Sequence, residues 1–155
     1  MSATMVRPLA KSDLAFVTVA LSSLPLMQRY RRTEATLSED LTRALAEGQG
    51  LAIAEGEGRR LGLVWFLREG TLGMGGYLKL IALFPGETGK GVGRALLAHF
   101  EAEVAKASRH AFLLVSDFNA DAQRFYEREG YSHVGSLPKL VLPDVDERIY
   151  WKRLR

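Results

Sequence analysis

Three glycines at alternate positions, Gly89, Gly91 and Gly93, follow an apolar run and precede a helical repeat, with Lys90 and Arg94 among them. A glycine-rich turn into a helix presents unpaired N–H groups and the positive end of the helix dipole, which suits phosphate oxygens. The competing reading is that the glycines only permit a tight turn and close helix–sheet packing. Neither familiar nucleotide motif fits. A P-loop needs a hydroxyl after its lysine, and Lys90 is followed by Gly91; a dinucleotide fingerprint counted from Gly89 meets Arg94 at its last glycine. The second chemically capable stretch runs from Asp117 through Asn119 to Tyr126. Asn119 can cap a helix, Tyr126 can donate a phenolic proton, and Asp117 can accept one. Tyr126 reads equally as a packed aromatic beside Phe125, and Asp117 as a turn residue.

These groups need elements to hold them. Tyr77 to Phe84 is nearly continuously apolar and predicts a strand covered on both faces, closed by Pro85 and Gly86. After the glycines, Val92, Leu96, Phe100 and Val104 form one helical stripe, with Leu97 beside it. Before this centre the spacing predicts a strand over 4–9 and a helix from an N-cap at Ser12 to about Leu21. A second helix follows, with a capping box at Thr36-Leu37-Ser38-Glu39, and then strands over 51–55 and 61–67 joined by a Gly56–Arg60 hairpin. Pro25 interrupts the early pattern, and 26–32 reads as a short amphipathic or irregular segment. After the centre come a strand over 111–115, a helix from Asn119 to Gly130, and strands over 131–137 and 147–154. The order β-α-α-β-β-β-α-β-α-β-β gives an α/β chain with a mixed, mainly antiparallel sheet and interspersed helices.

Composition narrows the chemistry. The 155 residues suit one domain, 1–155, and 47 % hydrophobic with 25 % charged residues is an ordinary soluble balance. There is no cysteine, so thiolate nucleophiles, disulfides and cysteine–metal sites are excluded. His99, His110 and His133 lack zinc spacing, and no metal is expected. The net charge of +3 is mild; its basic clusters lack an aromatic platform, so no nucleic-acid role is expected. No apolar run reaches membrane-spanning length and the N-terminus lacks a signal-peptide core, so no membrane association and a cytoplasmic location are expected.

With the elements in order, the chain resembles the GCN5-related N-acetyltransferase (GNAT) superfamily over almost its full length. Lys90-Gly91-Val92-Gly93-Arg94-Ala95-Leu96-Leu97 looks like that family's pyrophosphate loop, and Asn119 to Tyr131 is similar to its second signature, N-x-x-A-x-x-F-Y-x-x-x-G-F/Y. The resemblance implies a GNAT acyl-CoA acyltransferase fold whose central strand splays from the next, and acetyl-CoA as cosubstrate. It implies that Ala82 and Leu83 offer backbone hydrogen bonds to pantetheine and that Thr88, Gly89, Lys90, Gly91, Val92, Gly93 and Arg94 surround the pyrophosphate. Asn119 would contact pantetheine, and Tyr126 would protonate the leaving thiolate.

Three positions depart from the family pattern. Thr88 stands where an Arg or Gln is usual and brings neither fork nor charge. Leu114 and Lys79 stand where two groups of members carry their acidic base, leaving Asp117 as the nearest acidic candidate. The implied reaction is acetyl transfer to a primary amine of a small molecule or peptide. The alternative is a catalytically degenerate acyl-CoA-binding or regulatory module. A homodimer through the final strands or early helices is compatible with this reading.

Overall fold

The computed structural model describes residues 4–89 and 91–155. Its strands are β1 (Met5–Pro8), β2 (Gly50–Gly56), β3 (Arg59–Thr71), β4 (Gly75–Leu83), β5 (His110–Ser116), β6 (Ser132–Leu137) and β7 (Glu147–Arg153). Its α-helices are α1 (Leu14–Ser22), α2 (Pro25–Arg29), α3 (Glu34–Ala46), α4 (Val92–Ala105) and α5 (Ala120–Arg128). Hydrogen-bonded neighbours follow the order β1-β2-β3-β4-β5-β7-β6. The β1–β2, β2–β3, β5–β7 and β6–β7 pairs are antiparallel and β4–β5 is parallel, the mixed and mainly antiparallel sheet expected.

The chain divides into two compact units, Met1–Phe66 with Leu80–Phe100, and Leu67–Lys79 with Glu101–Arg155. In the first, Val17 and Leu21 of α1, Leu37 and Leu41 of α3, Ile53, Leu63, Trp65 and Phe84 form one buried cluster. The predicted stripe of α4 is buried as well, and Phe100 meets Phe66 edge-on with ring centroids 5.3 Å apart. Gly62 on β3 lets backbones approach closely, since a Cβ there would lie 2.7 Å from the Ala82 carbonyl oxygen.

In the second unit, Ala111, Leu113 and Val115 of β5 are buried together with Tyr126, Tyr131 and Tyr150. Side chains alternate along each strand, and directly paired residues share a face. One face of β5 and β7 therefore carries Ala111, Leu113, Tyr150 and Lys152; the other carries Phe112, Leu114, Ser116, Glu147, Ile149 and Trp151. Helix α5 lies on the first face, where its Gln123 accepts a 3.1 Å hydrogen bond from Arg148. Val104 of α4 lies there too, 2.3 Å from where a Cβ on Gly76 would stand.

Four sequence expectations change. The first helix is preceded by a 3-10 turn, Lys11–Asp13, and Ser12 is not its cap; Asp13 instead accepts from the Ala10 N–H at 2.8 Å. The cap of α3 is Thr33, not Thr36: Thr33 Oγ1 accepts from Thr36 N, and Thr36 Oγ1 accepts from Thr33 N at 2.9 Å. Pro25 opens α2 as its first residue, where its missing N–H costs nothing. The central strand is also less enclosed than a continuous apolar run implies: Tyr77, Ile81 and Leu83 are half-buried and Lys79 is exposed, while Leu78 and Ala82 are buried.

Candidate active site

The first unit carries the glycine turn. Ala82 and Leu83 end β4, and Phe84 is tied to β3 by its N–H, 2.9 Å from the Leu61 carbonyl. The chain then turns sharply, with Glu87 N–H donating to the Phe84 carbonyl at 3.0 Å. Glu87 is buried and receives a 3.2 Å hydrogen bond from Arg59, which fixes the turn from beneath. Thr88 and Gly89 are exposed beyond it. Gly86, Gly89 and Gly91 have φ of 84°, 76° and 73°, a left-handed backbone that side chains disfavour, so the glycines are required by conformation. Val92 begins α4 and is buried as its anchor, with Gly93 and Arg94 in the first turn. The first N–H groups of α4 have no carbonyl partner four residues back within the helix. Lys90 lies outside the described residues.

The second unit carries the other signature. Asn119 caps α5, its Oδ1 accepting from Ala122 N at 3.2 Å, so its amide NH2 is the group that remains to meet a ligand as donor. Gln123 donates to the carbonyls of Ser116 and Asp117, both at 3.1 Å, binding the start of α5 to the end of β5. Tyr126 is buried, and burial alone raises its phenol well above the ordinary range. Its ring meets Tyr131 edge-on at 5.8 Å, and Tyr131 in turn donates from its hydroxyl to Glu101 at 2.9 Å. Lys152 donates to the same carboxylate at 3.0 Å. Asp117 is exposed and braces the loop before β7, its Oδ2 accepting from Asp146 N at 3.1 Å. The turn role read for it in the sequence is thus present.

The parallel ladder is short. Gly76, Tyr77 and Leu78 pair with Ala111, Phe112 and Leu113; from Leu114 to Ser116, β5 has register partners only on β7, among the described residues. A strand whose ladder stops early has backbone donors and acceptors on that edge available to another partner.

A model of the acetyltransferase (GNAT) family matches residues 19–131, which include both signatures. The chain belongs to the acetyltransferase (GNAT) family. No curated protein matches it. Among solved structures it is similar to a protein assigned to the GNAT acetyltransferases from Desulfovibrio desulfuricans, at 23 % identity and TM-score 0.81, covering 99 % of this chain and 100 % of that one. An N-acetyltransferase from Staphylococcus aureus gives 17 % identity and TM-score 0.78, with 99 % and 100 % covered. A Vibrio cholerae spermidine N-acetyltransferase, solved with CoA and spermine, gives 18 % and 0.79, with 97 % and 95 % covered. These likenesses confirm the GNAT fold.

Among the described residues no group of His, Asp and Glu side chains is arranged to hold a metal ion, and no helix is long and apolar enough to cross a membrane. A cavity of about 380 Å³ opens at the other end of β5, beside Gly75, Ser108, His110 and Arg155, and contains none of the predicted site residues. The residue that the sequence reading passed over is Glu147, a buried carboxylate paired in register with Ser116. The alternation Glu147-Ile149-Trp151 sets a carboxylate in line with two large apolar residues, and that was its signal.

Proposed function

We propose that this acetyltransferase moves the acetyl group of acetyl-CoA to a primary amine of a small molecule or peptide, within a single N-acetyltransferase domain over 1–155. The observation that carries the reading is the pair of helix starts, each built to meet a ligand. Left-handed glycines lead into α4, and Asn119 caps α5 just after β5 has lost its parallel partner.

The turn before α4 binds the pyrophosphate through N–H groups of Gly89, Gly91, Val92, Gly93 and Arg94, with Thr88 adding one hydroxyl and the Lys90 and Arg94 side chains supplying charge. Ala82 and Leu83 offer main-chain hydrogen bonds to the pantetheine arm, and Asn119 offers its amide. The residues present fit the cofactor: the left-handed glycines Gly89 and Gly91 and a helix N-terminus suit a diphosphate, and a capping Asn with an amide donor suits an amide-rich arm.

Bound acetyl-CoA supplies an activated acyl carbon and a thiol leaving group. The amine lone pair attacks that carbon, the C–S bond breaks, Tyr126 gives its proton to sulfur, and the surplus proton on nitrogen restores the phenol through water. Burial keeps the Tyr126 proton on oxygen throughout the working pH range, so the phenol is present in its acid form.

The test measures free CoA released from acetyl-CoA with a panel of peptides, polyamines and aminoglycosides, beside direct acetyl-CoA binding. Amine-dependent release establishes the transfer; binding without release by any amine supports a silent acyl-CoA-binding module instead. Tyr126→Phe should keep acetyl-CoA affinity and lose about 10²-fold in kcat. Full turnover by the folded variant would refute the acid role.

A further inference from the structure

The acceptor amine reaches neutral pH as an ammonium ion and must lose a proton before it attacks. Neither strand position where the family pattern places a base is acidic here: they hold Leu114 and Lys79. Asp117 is exposed and engaged in bracing the loop at Asp146.

A different carboxylate occupies the right end of β5. Glu147, the first residue of β7, is only 6 % exposed and pairs directly with Ser116, the last residue of β5, itself 6 % exposed. It also pairs with Leu137 of β6. Asn119 and the start of α5 follow Ser116 by three residues and are tied to it by Gln123. Glu147 therefore stands one strand away from the stretch of β5, Leu114 to Ser116, that the parallel ladder leaves open.

Its face is informative. Counting along the paired strands puts Glu147 with Tyr77, Phe112, Leu114, Ile149 and Trp151. Helix α5, which carries Tyr126, lies against the opposite face, with Arg148, Tyr150 and Lys152. A thioester lying along the open edge of β5 would meet the acid from one face and a carboxylate from the other. That arrangement keeps the two proton transfers apart: the carboxylate serves the attacking nitrogen and the phenol serves the departing sulfur. The negative charge of Glu147 reaches Tyr77, whose phenol is raised by burial first and by Glu147 second. Ionisable residues on the same face are Lys79 of β4, His110 of β5 and Arg153 of β7, with Asp117 and Asp146 at the strand ends. Nearest to it on that face, Leu114 and Ser116 of β5 and Gly135 and Leu137 of β6 carry no ionisable side chain.

We propose that Glu147 is the carboxylate that draws in the acceptor ammonium and accepts its proton. This rests on the acetyltransfer reading above. One N–H bond of the ammonium breaks, its proton passes to a Glu147 carboxylate oxygen directly or through one water, and the freed lone pair forms the N–C bond. The C–S bond breaks and sulfur takes the Tyr126 proton. The second amine proton, lost as the amide forms, restores the phenol through water, and Glu147 releases its proton to solvent. The net products are the amide, free CoA and one proton.

The experiment compares wild type, Glu147→Gln and Glu147→Asp with spermidine, a lysine-bearing peptide and an aminoglycoside across pH, with thermal melting and acetyl-CoA titration as fold controls. The expected result is acetylation of at least one amine by wild type and a fall in kcat/KM of about 10²-fold in Glu147→Gln. The Gln variant should regain activity tenfold per pH unit as the amine loses its proton in solution, which a structural role would not produce. Glu147→Asp should retain part of the rate, and it decides the matter if the Gln variant does not fold. Unchanged kcat/KM in a folded variant, or a loss that no rise in pH restores, would overturn the assignment while leaving the acetyltransfer reading standing. Wild type that binds acetyl-CoA and acetylates none of the three amines would overturn both.

Discussion

Replacing Asp13 with Asn should be among the most costly conservative changes in the first unit. The Asp13 side chain is 1 % exposed and accepts four hydrogen bonds: from Arg7 Nη1 at 2.8 Å and Nη2 at 2.9 Å, from Arg60 Nε at 2.8 Å, and from the Ala10 N–H at 2.8 Å. These bonds join β1, the turn before α1, and β3. Asparagine keeps one oxygen but removes the charge and turns an NH2 toward guanidinium donors. Breaking a buried pair from one side costs about 3–5 kcal/mol. Arg7 and Arg60 are each a third exposed and regain some water, which puts the expected loss at the lower end, about 3 kcal/mol. The pH dependence follows from the Arg7 hydrogen bonds first, with those from Ala10 and Arg60 also contributing; they hold the carboxyl well below the usual range against the opposing cost of burial. A depressed folded value means stabilisation that is complete above the unfolded carboxyl value of about 3.9 and is lost as pH falls below it. Urea unfolding of wild type and Asp13→Asn should therefore differ by a constant amount from about pH 5 to 8, with the gap closing as pH falls below about 4. A gap under about 1 kcal/mol at neutral pH, or one that persists undiminished in acid, would refute the reasoning. The matching control is Glu55→Gln: Glu55 shares the Arg7 Nε at 3.0 Å but is 40 % exposed, and its loss should cost less than about 1 kcal/mol.

Two further changes probe the cofactor side. Gly62→Val sets a Cβ 2.7 Å from the Ala82 carbonyl oxygen and 3.1 Å from Leu96 Cδ1, so β3 or the end of β4 must shift. It should lose about 1–3 kcal/mol in thermal or chemical unfolding, and an unchanged melting temperature would sink the argument for close approach. Thr88→Arg restores a charged fork at an exposed position of the turn and should tighten acetyl-CoA by about tenfold, the lower end of a charge-assisted hydrogen bond. Calorimetric titration showing no gain would mean that Thr88 does not face the diphosphate.

The sequence was most legible where one local pattern decided the outcome. Val92, Leu96, Phe100 and Val104 are all buried as their spacing required, because a helix repeats without reference to the rest of the chain. The caps were less legible because a tertiary partner chose between near-equal local options. Thr33 and Thr36 can each cap a helix, but Arg31, two residues beyond α2, has φ of 58° and Arg32 engages Asp40. Those contacts start the next helix at Glu34 and leave Thr33 as the cap. Ser12 loses to Asp13 for the same kind of reason: two arginines, six and 47 residues away, hold the Asp13 carboxylate.

The same distinction divides the candidate site. The proposed phosphate turn and the proposed acid lie in contiguous motifs, so Gly89 to Arg94 and Asn119 to Tyr126 could be named from the family resemblance. A base brought by strand pairing has no such signature. Glu147 lies 21 residues beyond Tyr126 and joins the end of β5 only because β7 runs antiparallel beside it, with Ser116 opposite Glu147 and His110 opposite Arg153. Shifting that register by one residue would turn Glu147 to the α5 face and put Arg148 in its place. Register is held on one side by Tyr150, which is fully buried, and on the other by Trp151, which donates to His110 Nδ1 at 3.0 Å. A carboxylate at the head of β7 can thus serve the acceptor amine only while these two aromatics fix the strand, which ties the chemistry of the open edge to packing at the far end of β7.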